Sequence, residues 1–258
     1  MTQPEDRCFK DQTILVTGAS RGIGRAISER FAHSGARIAI HFNTHAQEAA
    51  DVLASLPGRD HACFAANLAD ATSRRSLVES VIATMGVPDV LVNNAGLYQL
   101  TPFNQSDEQV WINTFRSLVE INLVAPAHLA YLTARAMVEQ ARPGRIINIG
   151  SRGAFRGEPD APGYGSAKAG LHALTQSLAL ALGPYHISVT AVAPGWVETD
   201  MAGPHLLGPR GSEIRNQSPL GRVAQPKEVA AAVAYLAGAE AEYATGAVLD
   251  LNGASYLR

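Results

Sequence analysis

Thr13-Ile14-Leu15-Val16-Thr17-Gly18-Ala19-Ser20-Arg21-Gly22-Ile23-Gly24 decides how this chain is read. A short apolar run enters a glycine-rich segment, and a helical pattern continues through Phe31. Such a run, bounded by turn residues, reads as a buried parallel strand. Strand, glycine loop and helix together form a phosphate cradle. Glycines let the backbone approach the ligand, and free N–H groups at the helix start face the anion. The spacing is Gly-x-x-x-Gly-x-Gly, not the Gly-x-Gly-x-x-Gly of the common dinucleotide fingerprint. A glycine turn without a ligand is the alternative, and the flanking strand and helix speak against it.

Outward from this stretch, strands and helices alternate. Arg37 to Ile40 reads as a second strand, followed by a helix from about His45 to Leu56. His61 to Ala66 and Ser73 to Met85 repeat the pair, and Val90-Leu91-Val92 runs into Asn93-Asn94-Ala95-Gly96. Asp107 to Gln140 has a helical pattern, with Ser106 as its expected N-cap and a kink or break at Pro126. Asn122 lies inside it, where the solvent-exposed reading is the simplest. Arg145 to Ile149 and Ile187 to Val192 are further strands around a long helix, and Ala247 to Leu251 is the last. This rhythm predicts an α/β fold with a doubly wound parallel sheet, helices on both faces and ligands at the strands' carboxyl ends. Residues 1–11 read as a tail and 12–258 as one domain; 195–219, rich in Gly and Pro, reads as a substrate lid.

Composition narrows the function. At 258 residues and 47% hydrophobic, the chain suits one large domain. A net charge of -2 gives no field for nucleic acid. No stretch approaches the roughly 20 apolar residues of a membrane helix, and the N-terminus lacks a secretory pattern. Cys8 and Cys63 read as free thiols, which suits a reducing cytoplasm. No His/Cys cluster has metal-ligand spacing.

The chemistry concentrates in Gly150-Ser151 and in Tyr164-Gly165-Ser166-Ala167-Lys168. Tyr164 and Lys168 stand four apart, on one face of the expected helix. A lysine cation beside a phenol favours the phenolate, bringing a group of pKa ~10 toward neutral pH. Ser151 follows an apolar strand and can present its hydroxyl at the strand's end. A Tyr four residues before a Lys is weak evidence alone.

Taken together, Thr17 through Gly24, Asn93 through Gly96, Asn122, Ser151, Tyr164 through Lys168 and Pro194-Gly195 resemble the short-chain dehydrogenase/reductase family, from about Phe9 to Ser255. The chain looks most like the 3-oxoacyl-acyl-carrier-protein reductases. The resemblance implies a Rossmann-like domain and a catalytic set of Asn122, Ser151, Tyr164 and Lys168. Tyr164 would be the general acid, Lys168 would lower its pKa and hold the nicotinamide ribose, and Ser151 would steady the carbonyl oxygen. Asn122 would distort its helix to hold a water linking Lys168 to solvent. The dinucleotide would lie against Gly18, Ser20, Arg21, Gly22, Ile23, Gly24, Asn43, Asn67, Leu68, Asn94, Ala95, Gly96, Tyr164, Lys168, Pro194, Gly195, Val197 and Thr199. A homotetramer is implied by resemblance alone.

NAD-directed relatives carry an acidic residue at the end of the second strand. Here that position is Phe42, His41, Asn43 and Thr44 are also non-acidic, and Arg21 suits a 2′-phosphate, so the expected cofactor is NADP(H). Asn67 replaces the usual Asp at the adenine. Arg135 matches one carrier-docking position, but Tyr185 occupies the other, which weakens the case for an acyl carrier protein as partner. The expected reaction is NADP(H)-dependent reduction of a ketone or aldehyde. An alcohol, sugar or polyol dehydrogenase is the second reading. A dinucleotide-sensing module is the third, although a sensor has no use for a proton donor. Arg152 to Pro162 and the lid are expected to line the substrate pocket, mixing Arg152, Arg156, Glu158 and Asp160 with Trp196, Met201 and Leu206.

Overall fold

The computed structural model describes residues 8–258. Its strands are β1 (Thr13–Val16), β2 (Arg37–Phe42), β3 (Ala62–Ala65), β4 (Val90–Asn93), β5 (Gly144–Ile149), β6 (Ile187–Pro194) and β7 (Val248–Leu251). All pair in parallel, in the order β3-β2-β1-β4-β5-β6-β7. The helices are α1 (Gly22–His33), α2 (Ala46–Ser55), α3 (Ala71–Met85), α4 (Glu108–Val119), α5 (Ala125–Glu139), α6 (Gly153–Arg156), α7 (Pro162–Leu182), α8 (Gly203–Leu207), α9 (Gly211–Asn216) and α10 (Pro226–Ala237).

Strand alternation makes two cores. Ile14, Val16, Ile38, Ile40, Val90 and Val92 face one side, against Ile27 and Phe31 of α1, Val52 of α2 and Val229 and Val233 of α10. Leu15, Ala39, Leu91 and Ile146 face the other, against Leu77 and Val81 of α3 and Leu129 and Met137 of α5. Both faces are covered, so β1, β4 and β6 are buried from end to end.

Local chemistry moves several expected boundaries. Helix α3 starts before Ser73, because Asp70 caps it by accepting from the Ser73 N–H at 2.7 Å. The cap of α4 is Asp107, not Ser106; its carboxylate accepts from the Val110 N–H at 2.8 Å. The lid region carries α8 and α9 around a small core of Ala202, Leu206 and Ile214. Of the expected tail, residues 1–7 lie outside the described residues. Phe9 is buried, with its ring edge-on to Phe31 at 4.8 Å. The domain's packing therefore begins before residue 12. Among the described residues no helix is long and apolar enough to cross a membrane.

A buried polar chain crosses the second core. Asn93 Nδ2 donates to Asn148 Oδ1 at 2.9 Å, Asn148 Nδ2 donates to Thr175 Oγ1 at 2.9 Å, and Thr175 Oγ1 donates to the Leu171 carbonyl at 2.8 Å. This chain fixes β4, β5 and α7 relative to one another, and hence the groups at their ends. Replacing Asn148 with Leu strands the partners on either side in an apolar setting. We expect a loss of about 1–3 kcal/mol of stability, read from urea unfolding; an unchanged midpoint would remove this chain from the fold's support.

Candidate active site

Because the strands are parallel, their carboxyl ends share one edge. Strand order reverses between β1 and β4, and a crevice opens there. The glycine loop after β1 occupies it. Gly18 takes a φ of +61°, and a Cβ on Gly24 would stand 2.2 Å from the Gly18 carbonyl oxygen. Only glycine allows α1 to start so close to the loop.

Two side chains brace this loop. Asn94 Nδ2 donates to the Thr17 carbonyl at 2.8 Å and the Gly18 carbonyl at 3.0 Å. Thr17 Oγ1 accepts from the N–H groups of Asn94 and Ala95 at 2.9 and 3.0 Å. His41 was not singled out from the sequence, yet its Nδ1 accepts from the Gly18 N–H at 3.0 Å. Its other ring nitrogen lies 3.1 Å from the Ala66 carbonyl, which requires the neutral Nε2–H tautomer. Burial keeps it neutral, lowering its pKa to about 4. The N-cap of α1, Arg21, makes no side-chain cap, so the helix's first amides remain available to an anion.

The cavity has a volume of about 520 Å³. All the residues expected to bind cofactor line it except Gly24, which sits behind the loop, and so do all four expected catalytic residues. Phe42, Asn43, Thr44 and His45 form its far end, where Arg21 lies half-exposed, 3.9 Å from Asp200 Oδ2. Asn67 Oδ1 already accepts from the Ala69 N–H at 3.0 Å, so its side-chain NH2 is the part left to meet a ligand.

Asn122 is fully buried, not exposed. It sits in a π-helical segment, Glu120–Val124, between α4 and α5. Its Nδ2 donates to the carbonyls of Leu118 and Leu97, both at 2.9 Å, and its Oδ1 accepts from the Leu97 N–H at 3.1 Å. Pro126 has no N–H to offer the Asn122 carbonyl, so sequence alone interrupts the helical ladder there.

Ser151 stands two residues after β5; its Oγ accepts from the Gly153 N–H at 3.0 Å, and its own N–H points at Nε2 of buried His172 at 3.4 Å. His172 was also missed, although it stands four residues after Lys168 on the same face of α7. Tyr164 faces the cavity, and around it stand Tyr98 (ring centroids 5.0 Å apart) and beyond it Trp196 and His205. Lys168 Nζ is buried, donates to the Ile149 carbonyl at 2.7 Å and lies 5.7 Å from the centre of the Tyr164 ring. Of the expected pocket residues, Arg152, Glu158, Trp196 and Met201 line the cavity, whereas Leu206 packs inside the lid and Arg156 is exposed.

One expectation is corrected. The chain by itself does not lower the Tyr164 pKa. Burial raises it to about 12, with the Ser151 hydroxyl opposing and Glu158 adding. Burial likewise lowers Lys168 to about 8. Desolvation of both groups outweighs their attraction across this separation. Tyr164 therefore holds its proton firmly, as a donor must.

A dinucleotide crevice that continues into a serine, tyrosine and lysine set defines a nicotinamide-dependent oxidoreductase. The chain belongs to the short-chain dehydrogenase/reductase family. Residues 18–253 match the family model described as enoyl-(acyl carrier protein) reductase. The 3-oxoacyl-[acyl-carrier-protein] reductase FabG of Escherichia coli (strain K12) is 37% identical over 249 residues, covering 96% of this chain and 99% of that protein. The L-rhamnose 1-dehydrogenase (NAD(P)(+)) of Azotobacter vinelandii is 37% identical over 254 residues, covering 96% and 97%. A dehydrogenase/reductase from Sinorhizobium meliloti 1021 superposes with a TM-score of 0.87 at 31% identity, covering 96% of each chain. A Serratia marcescens short-chain dehydrogenase/reductase mutant gives 0.88 at 32%, covering 96% and 99%.

The buried lysine carries a testable signature. Its folded pKa of about 8 lies below the ordinary 10.5. Between those values the unfolded chain binds more protons, so this group's contribution to stability rises with pH across that window and is least favourable below it. Lys168→Met removes the buried charge. Its stability relative to wild type is therefore highest at neutral pH and declines toward pH 10.5, a trend read from urea midpoints at stepped pH. A pH-independent difference would show that the ammonium is not burdened by burial.

Proposed function

We propose that this chain is an NADP(H)-dependent oxidoreductase that reduces a ketone or aldehyde to an alcohol, with Tyr164 as general acid. The carrying observation is that Asn122, Ser151, Tyr164 and Lys168 line the same cavity as the braced glycine loop. A dinucleotide held along Gly18 to Ile23, Asn94 to Gly96 and Lys168 would supply a hydride to the carbonyl carbon. As the carbonyl π bond breaks, Tyr164 transfers its phenolic proton to the oxygen, and Ser151 donates a hydrogen bond to the charge developing there. Lys168, positively charged below pH about 8, stabilises the phenolate left behind. Asn122 holds the bend that brings its amide and the Lys168 ammonium together beside Gly96.

NADP(H) rather than NAD(H) is supported by Arg21 at the cavity's far end and by the absence of a carboxylate from Phe42 to His45. A guanidinium meets a 2′-phosphate with charge-assisted hydrogen bonds. Asp200, near Arg21, tempers that charge. The reverse reaction, oxidation of an alcohol, sugar or polyol, uses the same groups and is the second reading, favoured by the rhamnose dehydrogenase relative. A carrier-protein partner is not favoured: Arg135, exposed, is engaged by Glu139 at 2.8 Å and by the Tyr131 hydroxyl at 3.1 Å. Assembly as a homotetramer in the cytoplasm completes the reading and rests on family likeness.

Tyr164→Phe removes only the hydroxyl needed in the chemical step. Turnover should almost vanish while NADPH still binds with near-normal affinity, by fluorescence titration; near-normal turnover would remove Tyr164 from its role.

Cofactor choice has its own test. Hydrogen bonds to charged groups are worth about 1.5–3 kcal/mol, so Arg21→Ala should weaken NADPH roughly ten- to a hundredfold and spare NADH. Phe42→Asp should favour NADH by repelling the phosphate. The comparison is kcat/KM with both cofactors. A wild type that prefers NADH, or an equal loss with both cofactors in Arg21→Ala, would refute the assignment.

A further inference from the structure

Glu158 takes part in no step of the chemistry just described beyond helping to hold the proton on Tyr164, yet it lines the reaction cavity. Its placement is tightly determined. A Cβ on Gly153 would stand 2.6 Å from Glu158 Oε1, and one on Gly165 would stand 3.5 Å from the Glu158 backbone nitrogen. The carboxylate thus nests between the segment that carries Ser151 and the helix that carries Tyr164. A side chain at Gly153 would push it out.

Among the described residues this carboxylate has neither an ion-pair nor a hydrogen-bond partner. Arg156 and Arg152 both act on its charge, but neither reaches ion-pair distance: the Arg152 guanidinium donates to Ser255 and Gln217, and Arg156 is exposed. Asp160 adds a second negative charge to the same region, and both acids act on the Tyr98 phenol. Tyr98 and Trp196 line the same cavity and pack with His205, the three rings within 5.4–6.4 Å of one another by centroid. A half-buried, unpaired carboxylate penalises an apolar chain laid against it and repels an anion. It rewards a ligand that brings a hydroxyl donor.

Building on the oxidoreductase reading above, we infer that Glu158 determines specificity by accepting a hydrogen bond from a hydroxyl group near the reacting carbon, and that the substrate is a polyhydroxylated, sugar-type carbonyl or alcohol. A site built around such a bond rejects analogues that lack the hydroxyl, because the carboxylate is then desolvated without a partner. A simple 3-oxoacyl compound offers no donor at that place.

The full-length protein is assayed with aldohexoses, aldopentoses and their mono-deoxy analogues against NADP⁺ and NAD⁺. Ethyl acetoacetate and a 3-oxoacyl N-acetylcysteamine thioester are assayed with the reduced cofactors. A hydroxylated substrate should give the highest kcat/KM. In wild type, removal of one particular hydroxyl should cost about ten- to a hundredfold. Glu158→Gln and Glu158→Ala should lower kcat/KM for the hydroxylated substrate by a similar factor, mainly through KM, and raise it for the acetoacetyl compounds. In those variants, deleting the same hydroxyl should cost little more, since the interaction is already gone. A best substrate without hydroxyls, or an equal loss for every substrate in both variants, overturns the inference and leaves the oxidoreductase reading standing. No turnover of any compound by wild type, with cofactor still bound, overturns both.

Discussion

Parallel strand pairing is the constraint on which this molecule rests. It sends every strand toward the same edge, so the segments that follow β1, β4, β5 and β6 must emerge side by side. Residues as distant in sequence as Gly18, Asn94, Ser151 and Pro194 therefore wall one cavity. Hydrogen bonds then refine the placement. Thr17 and Asn94 stitch the loop after β1 to the loop after β4, and Asn148 pins β5 to α7. The glycine loop is held by hydrogen bonds from within the chain, and preorganisation of this kind removes ordering costs from binding.

The same edge is where stability is given up. Lys168 is buried with no carboxylate partner among the described residues, and its ammonium is met by a backbone carbonyl. The Tyr164 phenol lies beside it in a setting that disfavours its anion. Neither choice serves folding. Both raise the sensitivity of the pair to any new charge brought into the cavity, because electrostatic interactions strengthen where water is scarce. Sites of function are where a chain tolerates such choices.

The sheet was legible because parallel strands buried on both faces leave short apolar runs bounded by glycine and asparagine, and each run here became a strand. Helix starts were less so. Asp70, Asp107 and nearby Ser residues are all competent caps, and only the three-dimensional course of the chain selects among them. Asn122 was misread by propensity: an amide in a helix looks solvated until a neighbouring loop, at Leu97, supplies partners for it. His41 carries no sequence signal at all, since its role depends on a loop 23 residues away. The Tyr164 and Lys168 spacing was plain, but the electrostatic consequence was not, because burial enters only with the fold.

The cavity's two ends are built differently, and a single segment covers both. The start of the lid is anchored: Val197 bridges to Ala224, Glu198 N–H donates to the Ala224 carbonyl at 2.8 Å, and Ala224 N–H donates to the Trp196 carbonyl at 2.9 Å. From that anchor Thr199 and Asp200 reach toward Gly22 and Arg21, while Trp196 and His205 stand over the side of Tyr98. Further along, α8 and α9 have only their own small core, to which Trp196 and Val223 contribute. Such a segment opens locally more easily than the sheet does, because few buried contacts hold its tip. Cofactor and substrate would both press against it, one near Asp200 and the other near Trp196. The two ends of the cavity thus share one covering segment, whose anchor at Val197 and Ala224 lies apart from α7 and its Tyr164 and Lys168.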